Sequence, residues 1–395
     1  MRKKVTTQEG EFPRLSLRDK VTLLRGSINT AHFKAHARPM LYGRCGDDPE
    51  AVNDLLLETL HTNAGKTKLI SPLFKPPKQL IIKINGEHVL PLGTAAGMDK
   101  NGKALEAFGN LFGFQEPGTV VIEPRLGNPR VRVTTLKDSI DLFNAPGFPS
   151  KGLDYFLKNI SEYRRKGGRA IIYVSICGLP SEGRATANAM KEMEVLITTL
   201  RTYVDGFVWN PFSPNTKALE KLRTAATFYE TGRLMDELAP GKLKMVKIGP
   251  YDETPAELKK TLILINAFFE GGGQGVVTTN TYPFSKEMLP ESIREKWGYP
   301  TAGRSGTFLT DYMLRSINDI RNAFRDSVLI FGTGGISDGI TAYKAFKAGA
   351  NALEGYTPYV SYGPGLVRNI MDGLQTEMDR DGIKNLAHLQ KLARR

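Results

Sequence analysis

Eight short apolar runs alternating with stretches of helical periodicity restrict the fold of this chain more than any other feature. The runs end near Gly93–Ala96, Thr119–Ile122, Ile171–Ser175, Phe207–Asn210, Met245–Ile248, Val276–Thr279, Leu329–Gly332 and Ala352–Gly355. Runs of this length read as buried strands. Between them, Lys151–Arg165 sets Leu153, Phe156, Ile160 and Tyr163 on one helical face, and Pro255–Phe269 opens on a proline suited to a first helical turn. Eight strand–helix units close more naturally as a (β/α)8 TIM barrel than as an open doubly wound sheet, and in such barrels chemistry collects at the C-terminal strand ends. At 395 residues the chain holds one such barrel with a smaller module to spare.

That module lies at the N-terminus. Residues 1–13 lack periodicity and are expected to be disordered. Leu17, Val21, Leu24 and Ile28 then recur at helical spacing with Arg18 and Arg25 between them, which predicts a basic amphipathic helix. Asp48 and Pro49 suit the N-cap and first position of a second helix through Leu60, with Val52, Leu55, Leu56 and Leu60 inward. Thr62–Pro77 reads as a linker. The expected division is a helical module over residues 1–75 and a barrel over 76–395. Of the net charge of +13, Met1–Arg44 carries +7, from ten Lys/Arg against three Asp/Glu. Such a segment can meet an anionic surface. No apolar run approaches the ~18 residues of a membrane span, and the N-terminus lacks the apolar region of a signal peptide, so a cytoplasmic location is expected. Two cysteines, Cys45 and Cys177, are too few for a thiolate site, and the five histidines form no ligand spacing with carboxylates or cysteines. His32 and His36, four apart, could bind a metal on a helix but read better as a surface pair, so no metal is expected.

Polar residues gather at the strand ends. In Gly206–Thr216 an apolar run stops at Asn210, and Pro211 and Pro214 stiffen a loop bearing Asn210, Ser213, Asn215 and Thr216. Two carboxamides and two hydroxyls there can hold a polar ring or form an Asx turn. Gly332-Thr-Gly-Gly335 and Gly355-Tyr-Thr357 follow the seventh and eighth runs, where barrels commonly seat a phosphate on backbone N–H groups. Lys247 ends the fifth run, placed to offset negative charge on a bound ring. Lys100 follows the small residues Ala95-Ala-Gly97, which allow a flat ligand to approach the backbone. Asn144–Phe148, Thr278–Thr281 and Thr301–Gly306 add further amides and hydroxyls. Together these predict a nucleotide-like cofactor beside a small, planar, anionic substrate.

The ordered motifs Ala95-Ala-Gly-Met-Asp-Lys-Asn-Gly102, Gly127-Asn-Pro-Arg130, Asn144 with Gly147-Phe148, Ser213-Pro-Asn-Thr216, Thr279-Asn-Thr281, Ser305-Gly306, Gly334-Gly335 and Tyr356-Thr357 resemble the dihydroorotate dehydrogenase family. Arg38-Pro39, Asp48-Pro-Glu50 and a serine at 213 make the chain most similar to the membrane-associated, quinone-reducing class. The resemblance implies oxidation of (S)-dihydroorotate to orotate in pyrimidine biosynthesis, with hydride passing to N5 of FMN and electrons to quinone. It implies Ser213 as the base, with Thr216 and Phe148 relaying or shielding the proton. It assigns Lys100, Asn144, Gly147, Phe148, Asn210, Asn215, Asn280 and Thr281 to substrate. It assigns Ala96, Gly97, Lys100, Thr119, Ser175, Asn210, Lys247, Thr279, Gly306, Gly334, Gly335, Tyr356 and Thr357 to FMN. It also implies a peripheral position on the inner face of a membrane, held by the N-terminal helices, and no nucleic-acid partner.

The chain departs from the quinone-class pattern at Asn144-Ala-Pro-Gly-Phe148, which lacks an arginine, at Ser175, at Pro211-Phe212 and at Lys217-Ala-Leu-Glu220. Three other readings stand beside the first: a divergent FMN barrel acting on another cyclic amide, an RNA-modifying flavoenzyme like dihydrouridine synthase, and a catalytically silent FMN-binding paralogue. Against the RNA reading, much of the excess charge lies outside the barrel and position 213 holds serine rather than cysteine.

Overall fold

The computed structural model describes residues 5–7, 10–13, 15–135, 140–180, 185–214 and 216–393. Eight parallel strands close into a barrel in chain order: β1 (Leu92–Thr94), β2 (Phe114–Gln115), β3 (Ile171–Ile176), β4 (Gly206–Trp209), β5 (Leu243–Lys247), β6 (Gly275–Thr278), β7 (Leu329–Thr333) and β8 (Ala352–Gly355). The ring closes where Leu353 of β8 pairs with Leu92 of β1. Every residue of β4, β5, β6 and β8 is buried, as strands covered on both faces require. Inside the barrel, Phe114, Tyr173 and Phe331 meet with ring centroids 5.2–5.6 Å apart. This aromatic plug makes the interior a packed core rather than a pore.

The helices follow the periodicity. Leu153–Arg165 buries Leu153, Phe156 and Ile160, and Pro255–Glu270 is capped by Thr254, whose side chain accepts from the Glu257 N–H. One strand sits earlier than the apolar run implies. The regular part of β2 stops at Gln115 because Pro117 offers no N–H to the ladder and Gly118 turns the chain at φ +116°. Pairing with β3 resumes only at Val120, opposite Ile176.

A second sheet has no counterpart in the sequence reading. Val133–Thr135, Leu142–Asn144, Thr301–Ser305 and Tyr282–Ser285 pair antiparallel, and their apolar faces share a separate core of Phe143, Ala145, Phe284, Leu289, Ile293, Trp297 and Ala302. The Arg304 guanidinium lies 4.0 Å from the Phe308 ring centroid and is paired to Asp141, which ties this sheet to its flanking turn.

The N-terminal helices α1 (Leu17–Ile28) and α2 (Pro49–Thr62) form where the capping residues place them. Ser16 and Asp19 make a capping box on α1, and Asp48 caps α2. The segment between them is helical too, over Thr30–His32, Phe33–Ala37 and Arg38–Arg44, because Pro39 falls within the first turn of the last piece and breaks nothing. The expected linker likewise contains a helix, Ala64–Ile70, and a tight turn at Ser71–Phe74. Leu23, Phe33, Ala37, Leu41, Val52 and Leu55 give these helices their own core. The apolar stripe read from the sequence faces outward, with Leu17 79% and Leu24 52% exposed, and Val21 and Ile28 exposed beside them. The expected disorder at 1–13 falls partly outside the described residues; among those described, Val5–Thr7 pairs with Gly10–Phe12.

Charged side chains clamp the N-terminal helices to the barrel. Arg132 Nη2 lies 2.6 Å from Glu50 Oε1 with both side chains buried, and Arg130 reaches Asp48, Glu50 and Asp54. Burial alone would raise the Glu50 carboxyl, but the Arg132 hydrogen bonds and the charges of Lys100, Arg132 and Arg130 hold it below the ordinary range. Its folded value is depressed, so its stabilisation is present above the ordinary value of 4.5 and is lost as pH falls through the folded value. Glu50→Gln leaves the Arg132 charge buried without its counter-ion. It is expected to cost about 3 kcal/mol in denaturant unfolding and to flatten the acid limb of the stability profile.

Candidate active site

The C-terminal strand ends of the barrel and the inner face of the second sheet enclose one cavity. Of the residues singled out in the sequence, Ala96, Gly97, Lys100, Thr119, Asn144, Phe148, Asn210, Ser213, Lys247, Thr279, Asn280, Thr281, Gly306, Gly334, Gly335, Tyr356 and Thr357 line it. Ser175 stands one layer behind Thr119, while Gly147 and Thr216 lie off the lining. Asn215 lies outside the described residues.

A chain of polar side chains crosses the cavity wall. Asn280 Nδ2 donates to Asn210 Oδ1 at 3.1 Å, Asn210 Nδ2 donates to Thr119 Oγ1 at 3.0 Å, and Thr119 Oγ1 meets Ser175 Oγ at 3.0 Å. The Thr281 N–H fixes the other end by donating to Asn280 Oδ1 at 2.8 Å. Four barrel strands therefore set the orientation of two carboxamides, whose flips are decided by the network rather than by rotation in solvent. On the opposite side, Asn144 Nδ2 donates to the Gly303 carbonyl within the second sheet at 3.0 Å.

The segment before Phe148 is unusual in its backbone. Phe148 adopts φ +56° after Gly147 at φ +68°, and a Cβ on Gly147 would come within 2.6 Å of Asn128 Oδ1. A left-handed phenylalanine stores roughly 1–3 kcal/mol, and the turn around it is held by Asn128 Nδ2 donating to the Ala145 carbonyl at 2.7 Å. Ser213 lies opposite on the stiff loop after β4. Arg223 closes that loop by donating to the Pro211 carbonyl at 3.1 Å and lying 4.6 Å from the Phe212 ring centroid.

At the seventh and eighth strand ends the cavity suits a phosphate. Gly334 and Gly335 have φ of +114° and +75°, and a Cβ on Gly335 would run into Thr310. Among the described residues their N–H groups meet no protein acceptor, so the cavity lining offers two backbone donors there. Ser305 Oγ donates to the Leu142 carbonyl, which leaves the Thr357 hydroxyl as donor in its 2.8 Å pair with Ser305. Next to this seat, Ala95, Ala96 and Gly97 present backbone with little side chain to a flat ligand. A phosphorylated planar group therefore fits the donors and the space that these residues provide.

Lys247 reaches the same cavity with its ammonium 3.1 Å from Glu116 Oε2. Glu116 and Glu354 escaped the sequence reading, since Glu354 sits inside an apolar strand-end run, Glu116 sits just before Pro117, and neither bears a motif. Their one signal was a carboxylate where core residues were expected, a placement that requires a partner.

Fold and site together define a (β/α)8 barrel whose C-terminal strand ends carry one cavity, lined by amides, hydroxyls and glycines that fit a phosphorylated planar ligand. The dihydroorotate dehydrogenase family profile matches residues 81–378. A dihydroorotate dehydrogenase (quinone) of Deinococcus radiodurans is 33% identical over 308 residues, covering 75% of this chain and 79% of that protein. One from a Cyanothece species is 30% identical over 375 residues, covering 91% and 99%. Among solved structures, the dihydroorotate dehydrogenase of Eimeria tenella in complex with ferulenol superposes with a TM-score of 0.72 at 27% identity, covering 89% of this chain and 97% of that one. This chain belongs to the dihydroorotate dehydrogenase family, and its relatives are of the quinone-dependent class. The family implies a flavin cofactor.

Thr119→Val keeps the shape of the wall but removes the acceptor for the buried Asn210 amide. We expect it to cost about 1–3 kcal/mol in chemical denaturation, the penalty of an unsatisfied buried donor.

Proposed function

We infer that this protein oxidises (S)-dihydroorotate to orotate in de novo pyrimidine biosynthesis, using FMN and passing the electrons to quinone. The observation that carries this reading is the convergence of Asn144, Asn210, Asn280 and Ser213 on a cavity that also offers a phosphate seat, in a chain of this family. When bound, FMN supplies the hydride acceptor. Ala96, Gly97, Lys100, Thr119, Asn210, Lys247, Thr279, Gly306, Gly334, Gly335, Tyr356 and Thr357 would hold it, the glycines by their N–H groups and Lys247 by its charge, with Ser175 supporting Thr119 from behind.

Lys100, Asn144, Phe148, Asn210, Asn215, Asn280 and Thr281 would hold the substrate, with Gly147 shaping the turn that places Phe148. The amides match the donors and acceptors of a cyclic imide, and Lys100 matches a carboxylate. Ser213 Oγ takes the proton from C5 of the substrate. A hydroxyl is a poor base unless a second group accepts the proton onward, and Thr216 lies on the same loop for that relay. Phe148, buried at the cavity wall, excludes bulk water from the transfer. The competing readings, another cyclic amide, an RNA substrate or a silent paralogue, lack a supporting observation in the site.

The outward stripe of α1 supports membrane docking by residues 1–75. Leu17, Val21, Leu24 and Ile28 lie exposed with Leu69 and Leu73, beside the exposed bases Arg18, Lys20 and Arg25. Covering the α1 stripe would contribute roughly 3–6 kcal/mol, supplemented by attraction to anionic headgroups. No described helix is long and apolar enough to cross a membrane. The proposed attachment is peripheral, at the inner face, through the exposed stripe and its flanking bases.

Anaerobic addition of dihydroorotate is expected to bleach the flavin band of the purified protein, whereas persistence of an intact yellow spectrum would sink the assignment. Ser213→Ala should slow that bleaching by about 10²–10⁴-fold while leaving flavin content unchanged. Replacing Leu17 and Leu24 by glutamate should abolish co-sedimentation with anionic vesicles; equal binding by both forms would remove the docking proposal.

A further inference from the structure

Lys247 and Glu354 line the cavity, and Glu116 lies behind them. Lys247 Nζ is 3.1 Å from Glu116 Oε2 and 3.8 Å from Glu354 Oε2, with the lysine side chain 5% exposed and both carboxyls at 0%. Thr333 Oγ1 donates to Glu354 Oε2 at 2.9 Å. The second oxygen of each carboxyl, Oε1, is buried and meets no donor among the described residues. Both carboxyls thus crowd the one Lys247 ammonium, each with one oxygen left unpartnered.

Two ionised carboxylates can only accept, so they cannot bond to one another. Two of them around one ammonium would also leave a net negative charge in a site closed to water, which is the least favourable way to bury charge. A single added proton removes both defects. It supplies the donor that the Oε1 atoms lack and brings the cluster to zero. Burial first, and then the charge and contact of Glu116, push the Glu354 carboxyl well above the ordinary range, while Lys247 and the Thr333 hydroxyl pull it back. The groups facing the pair come from four strand ends, with Lys247 on β5, Glu116 after β2, Thr333 on β7 and Glu354 on β8, and with Tyr359 of the following helix.

We propose that Glu116 and Glu354 hold one proton between them at neutral pH, so that a cluster of zero net charge presents the Lys247 ammonium to the cavity. Glu354 is then a positioning residue. It adds a second contact to the lysine beside Glu116 without adding negative charge beneath a ring that accepts electrons. The retained proton is independent of what the cavity binds, and only its effect on the flavin rests on the function inferred above.

Infrared spectra of the full-length protein as isolated test it directly. Wild type at pH 7 should show a protonated-carboxyl C=O stretch that shifts in heavy water. The stretch should vanish in both Glu116→Gln and Glu354→Gln, because the carboxylate left behind pairs with Lys247 alone. Glu354→Asp keeps a carboxyl and should move the band rather than remove it, which also guards against a glutamine variant that fails to fold. In the flavin-loaded protein, the midpoint potential of wild type should fall more steeply with rising pH than that of Glu354→Gln, a readout that a purely structural role would not move. Absence of the band in wild type, or its survival in both glutamine variants, overturns the proposal. A colourless preparation would instead indict the flavin reading, and the infrared comparison would still decide the proton.

Discussion

Closing eight parallel strands leaves an interior that must be filled without water, and Phe114, Tyr173 and Phe331 fill it from β2, β3 and β7. Everything at the active end depends on that plug. Because the middle of the barrel is dry and rigid, the residues that leave the strands at one end keep fixed spacings, and side chains from distant parts of the sequence meet with hydrogen-bond accuracy. The run from Ser175 through Thr119 and Asn210 to Asn280 spans four strands and more than a hundred residues of chain. No loop could hold such an array, since each amide would trade its partner for solvent.

The barrel was legible because its signal is periodic and repeated: eight apolar runs and their intervening helices fall where the pattern puts them, save for the early end of β2 at Pro117. The cavity lining was legible for a different reason. Glycine, asparagine and proline at a strand end have few uses other than turns and ligand contact, so their clustering carried information. The second sheet was not legible. Its strands are three to five residues long, come from two separate loops, and bury Phe143 and Phe284 against each other only after the barrel has brought them together. The helices over Thr30–Arg44 were hidden by Pro39, a residue that stops a helix interior but not a first turn.

Among the buried charges of the described residues, two clusters bear on how the site is built. Between α2 and the barrel, Arg132 and Glu50 are stripped of water and hold each other, which specifies how the helices attach more than it strengthens the attachment. Around Lys247 the count of charges is uneven, and the surplus carboxyl cannot be explained by packing. Sequence inspection separates these cases poorly, because a glutamate in a strand and a glutamate on a helix look alike until their neighbours are known.

The orientation of α1 sets the handling properties of the protein. Its leucine-rich stripe points away from the body, leaving Leu17 with most of its surface bare. In dilute solution those side chains will adsorb first to air bubbles, plastic and hydrophobic resins. Mild detergent is therefore the natural medium for this protein in the test tube, where it occupies the stripe and keeps the molecules apart.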